Sequence, residues 1–136
     1  MTIYLILPLF TWLVTGSSKF LINSAKEKRL AFDLIGYGGM PSNHSAIVSS
    51  ITTLVALKEG INSASFGIAL SFSFIVLLDA SSLRQQISKQ AIQINRLSLS
   101  QDPLRERIGH TKLEILAGLI IGSMCAFTLK ELFDFL

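Results

Sequence analysis

The sequence predicts an all-α integral membrane protein, a helical bundle with about four transmembrane helices in a single domain over residues 1–136. Half of the 136 residues are hydrophobic and 15% are charged, whereas an ordinary soluble domain has about 25% charged residues. The apolar residues are also gathered in four blocks instead of being spread along the chain. Helices built from such blocks are expected to lie in a bilayer.

The four apolar blocks are the expected membrane helices. They cover residues 3–22, 45–57, 64–78 and 113–129. A complete span needs about 20 residues, with a range of about 17–25, so the second and third blocks need polar flanking residues to extend them. Small residues in the last two blocks are expected to let helix backbones approach closely. These residues are Gly67, Ser71, Gly118 and Gly122.

The connecting segments are polar or rich in glycine. They comprise a charge cluster at 26–29, a Gly-rich turn at 36–41, a tight loop at 59–62 and a linker at 98–103. Between the third and fourth blocks, residues 79–97 have apolar residues at helical spacing, which predicts an amphipathic helix. This helix either prolongs the third span or lies along the membrane surface, as a packing face or as a lipid-binding face.

Two features that often indicate a compartment do not do so here. Cys125, the one cysteine, falls in the last block and is expected to be a small buried hydrophobe. The first block has no basic segment before it, which favours an uncleaved membrane helix over a signal peptide.

Threading the four helices through a bilayer brings the polar motifs to one side, and the loop at residue 60 and both termini to the other. Ten Lys and Arg residues fall on the motif side, and two fall on the opposite side. By the positive-inside rule, we expect a protein of the inner or plasma membrane whose motif side faces the cytoplasm. Both termini are then expected on the opposite side.

The first polar motif is GGMPSNHS at residues 38–45, just before the second block. Glycines such as Gly39 permit a sharp turn, and Pro and Ser suit the start of a helix. The N–H groups at such a start bind phosphate well. Ser42 is therefore a candidate phosphate ligand, and His44 is a candidate proton donor to a leaving oxygen. The structural alternative is an N-cap turn with an incidental histidine.

The second polar motif is GHTKLE at residues 109–114. Thr111 and Glu114 fit the capping box T-x-x-E, so Glu114 is expected to cap the fourth helix. Glu114 also lies one turn beyond His110, where its carboxylate can orient the imidazole. An imidazole with one nitrogen held in this way has the other available to attack phosphorus. The two interpretations are compatible.

Ionisable residues also mark the ends of the first and third blocks. Asp79 closes the third block, Arg84 follows five residues later, and Lys19 lies near the end of the first. Such residues are functional candidates, since Arg84 and Lys19 can hold phosphate oxygens and stabilise charge in a transition state. The alternative is a pair of interfacial charges with snorkelling side chains.

Taken together, these motifs resemble the divergent branch of the type 2 phosphatidic acid phosphatase family, whose superfamily includes bacterial acid phosphatases and vanadium haloperoxidases. The resemblance covers most of the chain, from about residue 19 to 122. It is carried by GGMPSNHSA at 38–46, by Asp79-Ala80 with Arg84, and by GHT at 109–111 with Glu114.

The superfamily motifs are Lys followed by Arg-Pro, Pro-Ser-Gly-His, and Ser-Arg followed by His and Asp. Here Asn43 stands in place of the Gly and Glu114 in place of the Asp, and the Arg-Pro and Ser-Arg elements are missing. Arg84 is the candidate replacement for the missing arginine.

The resemblance implies a role for each matching position. His110 would be the nucleophile, His44 the acid and base, and Glu114 the partner of His110. The implied phosphate-binding residues are Lys19, Ser42, Asn43 and Arg84, with support from Asp79 and Gly39. The implied activity is metal-independent hydrolysis of a phosphate monoester on a membrane phospholipid, such as phosphatidic acid or phosphatidylglycerol phosphate, through a phosphohistidine and without a cofactor.

Alternatives from other classes stay open. One is a catalytically weak or inactive membrane protein that binds phospholipid or a partner through the same pocket, which the missing arginine elements favour. Another is a metal site, although the spacing fits no strong metal motif. Its ligands would be His44, His110, Asp79 and Glu114. A nucleic-acid partner is not expected, because the one-sided loops account for the basic character. A homo-oligomer is left open.

Overall fold

The computed structural model describes residues 2–30, 32, 39–97 and 102–135, and the regular secondary structure in this part of the chain is all helical. Its elements are α1 (Thr2–Glu27), α2 (Asn43–Glu59), α3 (Ala64–Leu78), a π-helical turn (Asp79–Leu83), α4 (Arg84–Leu97) and α5 (Lys112–Phe135). The predicted all-α membrane bundle is confirmed. The expected linker at 98–103 lies largely outside the described residues, as do residues 36–38 of the Gly-rich turn.

Three helices among the described residues are long and apolar enough to cross a membrane: Thr2–Glu27, Ala64–Leu97 and Lys112–Phe135. The second of these is continuous through α3, the π turn and α4, so the amphipathic segment prolongs the third helix. The remaining helix, α2, has 17 residues and is about 26 Å long. That is slightly less than the roughly 30 Å hydrocarbon core of a bilayer.

Two helices, α2 and α5, run parallel and side by side. At their starts, the Ser42 N–H donates to the Glu114 carbonyl at 3.0 Å. At their ends, Lys58 Nζ lies 3.4 Å from Asp134 Oδ1. The two helices therefore remain in contact over their length, and both histidine motifs, which precede or open these helices, lie at one end of the bundle. We call this the site end.

The helices α1 and α3 run antiparallel to this pair. The Tyr4 hydroxyl, near the start of α1, donates to Glu59 at the end of α2 over 2.8 Å. In α3, the Ser73 hydroxyl lies 2.8 Å from that of Thr52 in α2. The ends of α1 and α3 consequently lie at the site end, and the first and last described residues lie at the other. The predicted convergence of the motifs on one end is confirmed.

The contact between α2 and α5 depends on two glycines of α5. A Cβ at Gly118 would lie 2.5 Å from the Ser42 carbonyl oxygen, and a Cβ at Gly122 would collide with the Ala46 carbonyl oxygen and the Ser49 hydroxyl. The expected close approach is therefore confirmed at these positions. No described helix of the chain approaches Gly67 closely, because that face of α3 points outward and a Cβ there would meet nothing within 4 Å.

The apolar side chains are distributed as in a protein surrounded by lipid. A small core of buried side chains joins α1, α2 and α5 away from the site end, and includes Leu7, Leu54 and the expected buried Cys125. In α3, by contrast, Ser73 is the buried residue, while side chains such as Phe72 and Phe74 are exposed. Such an apolar outer surface suits a bilayer and not water.

Candidate active site

The first motif forms the N-cap of α2. Gly39 has φ +143°, a conformation that residues with a Cβ rarely adopt, so glycine is required at this turn. Ser42 is the N-cap, and its hydroxyl oxygen accepts the Ser45 N–H at 3.4 Å and the Ser45 hydroxyl at 2.9 Å. The N-cap interpretation is thus confirmed. Because Ser42 is fully buried, it can reach a ligand only from inside the bundle.

The next residue, Asn43, opens α2. Its Oδ1 atom is buried and has no hydrogen-bond partner in the part of the chain that the structure describes. An unsatisfied buried acceptor is costly, and sites that bind a ligand are one place where such atoms occur. His44 follows and has an exposed side chain.

The second motif is held against the π turn and α4. The His110 N–H donates to the Ala80 carbonyl at 3.2 Å, and Gln85 Nε2 donates to the His110 carbonyl at 3.0 Å. Gly109 packs so closely that a Cβ would lie 2.9 Å from the Gln85 backbone nitrogen. The main chain of His110 is therefore fixed from both sides.

The neighbouring Ser88 holds the segment just before His110. Its hydroxyl oxygen accepts the N–H groups of Ile108 at 3.0 Å and Gly109 at 3.2 Å. Neither Gln85 nor Ser88 is predicted as a site residue from the sequence. Their only signal was a polar face on the amphipathic helix, which is equally typical of a solvated surface.

The carboxylate of Glu114 joins the capping box to the histidine. Its Oε2 atom lies 3.2 Å from His110 Nδ1 and accepts the Thr111 N–H at 3.0 Å, while the Glu114 N–H donates to Thr111 Oγ1 at 3.2 Å. Its Oε1 atom lies 3.2 Å from Arg107 Nη2. Capping and orientation of the imidazole therefore occur together, as the sequence allowed.

The environment of His110 favours its neutral form. His110 is 5% exposed and Glu114 is 6% exposed. Burial lowers the pKa of His110 below its ordinary value, and the charges of Lys19 and Arg84 lower it further, while the hydrogen bond to Glu114 opposes the shift. A carboxylate on Nδ1 fixes the tautomer with the proton on that atom and leaves the Nε2 lone pair available.

The π turn carries the ion pair between Asp79 and Arg84. Arg84 Nε lies 2.5 Å from Asp79 Oδ2, and both side chains are about one-third exposed. With Nε engaged, the two Nη nitrogens of the guanidinium retain the other four N–H donors. π-Helical turns are rare and are frequently found at functional sites.

Electrostatic interactions connect the two motifs. The charges of Lys19 and Arg84 act on both imidazoles, and the charge of His110 acts on His44. Lys19 lies in α1 and is only 8% exposed, which is unusual for a charged side chain. Its charge interacts with that of Glu114. The structure thus brings the sequence-predicted residues of both motifs, α1 and the π turn to the site end.

The described part of the chain contains no set of ligands for the metal site that was considered as an alternative. No group of three or more His, Cys, Asp or Glu side chains there is arranged to hold a metal ion. Glu114 is already shared between an imidazole, a backbone N–H and a guanidinium.

An all-helical membrane bundle with a carboxylate-held histidine, a second histidine, a buried lysine and an arginine at one end defines a membrane protein related to the type 2 phosphatidic acid phosphatases. The model of the Divergent PAP2 family matches residues 2–125, and the chain belongs to this family. It is similar to "Uncharacterized membrane protein YuiD" of Bacillus subtilis (strain 168), with 30% identity over 127 residues, covering 79% of this chain and 80% of the relative. No solved structure matches the chain.

Proposed function

We propose that this protein is a membrane phosphatase that hydrolyses a phosphate monoester on a lipid of the phosphatidic acid or phosphatidylglycerol phosphate type. The observation that carries the proposal is the contact of Glu114 Oε2 with His110 Nδ1 at 3.2 Å. It prepares a neutral imidazole with a free Nε2 lone pair, which is the form of histidine that attacks phosphorus.

In the first step, His110 Nε2 forms a bond to phosphorus while the bond from phosphorus to the ester oxygen breaks. His44 donates its proton to the departing oxygen, which leaves as the lipid alcohol. A phosphate dianion held beside His44 favours the protonated imidazole required for this role. The developing positive charge on His110 is stabilised by Glu114.

In the second step, water attacks the phosphorus of the phosphohistidine. His44, now neutral, accepts a proton from this water, the bond from nitrogen to phosphorus breaks, and inorganic phosphate leaves. Both imidazoles return to their starting states, so protons and electrons balance over the cycle. The chain's own residues suffice for this chemistry, in which no metal takes part.

The phosphate oxygens would be held by cations and by donors at the start of α2. Lys19 and Arg84 supply positive charge, and the charges of both act on the two imidazoles. Ser42 and the side-chain amide of Asn43 supply neutral donors, together with backbone N–H groups of α2. Asp79 keeps the guanidinium of Arg84 in position, and Gly39 allows the turn before Ser42.

The proposal includes an orientation in the inner or plasma membrane. The site end would face the cytoplasm, because ten of the twelve Lys and Arg residues flank it. Both ends of the chain would lie on the opposite side. Labelling of single cysteines placed at positions 62 and 106, in a Cys125→Ala background, tests this orientation in intact cells.

The activity is tested with purified protein in phosphatidylcholine vesicles that contain phosphatidic acid or phosphatidylglycerol phosphate. We expect phosphate release by the unaltered protein, and loss of at least about a hundredfold in the His110→Ala and His44→Ala variants, as for removal of a catalytic acid or base. Lys58→Ala, which changes a cation at the opposite end, is the matched control and should retain activity. Unchanged turnover in both histidine variants would overturn the mechanism.

A second candidate is a membrane protein that binds phospholipid or a partner at this site without turnover. The observation in its favour is that Arg107 pairs with the Glu114 carboxylate, so part of the carboxylate charge is already neutralised. This candidate predicts that vanadate or phosphatidic acid binds to the purified protein, that binding weakens in Arg84→Ala, and that no phosphate is released.

A further inference from the structure

An apolar groove of about 410 Å³ lies between α3 and α5, within the size range of small-molecule pockets, about 300–1,000 Å³. Its apolar lining includes Phe74 and Leu77 from α3 and Leu116 and Leu119 from α5. These residues belong to helices that are long and apolar enough to cross a membrane. The groove therefore lies on the apolar outer surface of helices that are suited to a bilayer.

One end of the groove is polar and adjoins the candidate active site. It is formed by Ser81 of the π turn and Lys112 at the start of α5. Lys112 follows His110 by two residues, so their Cα atoms are at most about 7 Å apart. Ser81 follows Ala80, whose carbonyl holds the His110 N–H. The groove thus begins within a few ångströms of the main chain that positions the nucleophile.

The charge of Lys112 favours an anionic occupant at this end. Arg84 and Arg107, the neighbouring cations, pair with Asp79 and Glu114. Within the described ranges, Lys112 has no such carboxylate partner. A lysine at the end of an apolar groove matches a phospholipid, in which an anionic headgroup is joined to an apolar chain.

We propose that this groove binds an acyl chain of the phosphorylated lipid substrate, with the Lys112 ammonium paired to its headgroup. The inference rests on the proposed function and assigns a binding site to the acyl chain of its lipid substrate. From Lys112 to Leu119 the helix rises about 10 Å, which accommodates the upper part of such a chain. The groove then sets the depth at which the phosphate meets His110.

The test measures where a lipid lies, independently of turnover. Full-length protein is placed in phosphatidylcholine vesicles with a trace of phosphatidic acid that carries a photoreactive group on its acyl chain, and the labelled residues are mapped by mass spectrometry. We expect Leu116 and Leu119 to be labelled more by this lipid than by phosphatidylcholine with the same group. Ile68 and Ile120, which are exposed outside the groove, should be labelled equally by both lipids.

Two variants make the test specific. Lys112→Gln should reduce the excess labelling of Leu116 by about fivefold, the contribution of one cation near an anionic lipid. Leu119→Trp fills the groove and should abolish the excess, whereas Ile120→Trp, one residue further on the same helix, should leave it unchanged. Equal labelling of Leu116 and Ile120 by both lipids, or cross-linking of Leu116 to a second copy of the chain, would overturn the inference.

Turnover separates the failure of this inference from failure of the proposed function. If the groove is selectively labelled but no phosphate is released, the acyl site stands and the catalytic proposal fails. If phosphate is released and Leu119→Trp hydrolyses phosphatidic acid as fast as Ile120→Trp does, the groove is not part of the substrate site.

Discussion

Arg84 and Asp79 are five residues apart, yet Arg84 Nε and Asp79 Oδ2 are 2.5 Å apart. In an α-helix, side chains five residues apart are separated by about 140° around the axis, and they do not face each other. Here the helix widens to a π turn at Asp79–Leu83, in which residues five apart are bonded neighbours. The Arg84 N–H also bonds to the Asp79 carbonyl. The widened turn and the ion pair therefore support each other.

This pair gives the first prediction. In Asp79→Asn, the guanidinium loses the charge that holds its Nε, so we expect KM for the phosphate ester to rise about tenfold, which corresponds to roughly 1.4 kcal/mol, with a smaller change in kcat. Arg84→Lys should have a similar effect, because an ammonium cannot reproduce the fork of donors. Asp134→Asn, in an ion pair at the opposite end, is the control. A lower KM in Asp79→Asn would show that Asp79 only repels the substrate.

The buried His110 predicts a distinctive pH dependence. Because burial lowers the pKa of His110, its neutral form persists below about 6.5, the value of an exposed histidine. Neutral His110 then contributes stability that is complete above pH 6.5 and is lost as the pH falls through the folded pKa, since the unfolded chain binds the proton first.

The titration can be followed by NMR of histidine-labelled protein. The chain has two histidines, so His44→Gln leaves only the imidazole of His110. We expect its midpoint below 6.5, and a further decrease in His44→Gln/Glu114→Gln because the carboxylate charge that raises the pKa of His110 is removed. A midpoint at or above 6.5 in the first variant would contradict the burial that the structure assigns to His110.

The packing of α5 on α2 predicts that two glycines respond differently to alanine. Gly122→Ala would push a methyl group into the Ala46 carbonyl, and we expect a loss of about 1–3 kcal/mol in the free energy of unfolding. Gly67→Ala meets open space and should be neutral or stabilising by up to about 1 kcal/mol, through helix propensity. Unfolding by denaturing detergent measures both. Equal effects would show that α2 and α5 are not in close contact.

The hydroxyl of Ser88 predicts a local effect. Ser88→Ala leaves the N–H groups of Ile108 and Gly109 without their acceptor, at a cost of about 1–3 kcal/mol if they stay unsatisfied. We expect faster hydrogen exchange at these two amides and lower kcat, since the segment before His110 is loosened. Ser71→Ala, whose hydroxyl bonds within its own helix, is the control. Unchanged exchange at both amides would show that Ser88 does not hold this segment.

Much of the fold follows from local chemistry that a sequence displays. The apolar blocks predicted the four main helices, and the capping residues Ser42 and Thr111 marked the starts of two of them. The helices extend beyond the apolar blocks at places where polar side chains form ion pairs. At the end of α5, for example, Lys130 pairs with Asp134. Such extensions depend on neighbours that hydropathy does not describe.

The features that were missed depend on tertiary contacts. The π turn has no local sequence signal, because its geometry depends on two interactions. These are the ion pair of Arg84 with Asp79 and the hydrogen bond from the His110 N–H to the Ala80 carbonyl. Gln85 and Ser88 resemble ordinary polar residues of an amphipathic helix until the 102–111 segment is placed against them. Gly67 and Gly122 are both small residues within apolar blocks of the sequence. Only the position of α2 shows that Gly122 is packed and Gly67 is exposed.

The proposed function depends above all on His110 acting as the nucleophile of a phosphatase. The most direct measurement is an alkaline quench of the purified protein during turnover of radiolabelled phosphatidic acid, with mapping of any covalently bound phosphate, since phosphohistidine is stable in alkali. We expect label on the peptide that contains residue 110, its loss on treatment with acid, and its absence in His110→Ala. Phosphate release without such label, or label that persists in His110→Ala, would contradict it.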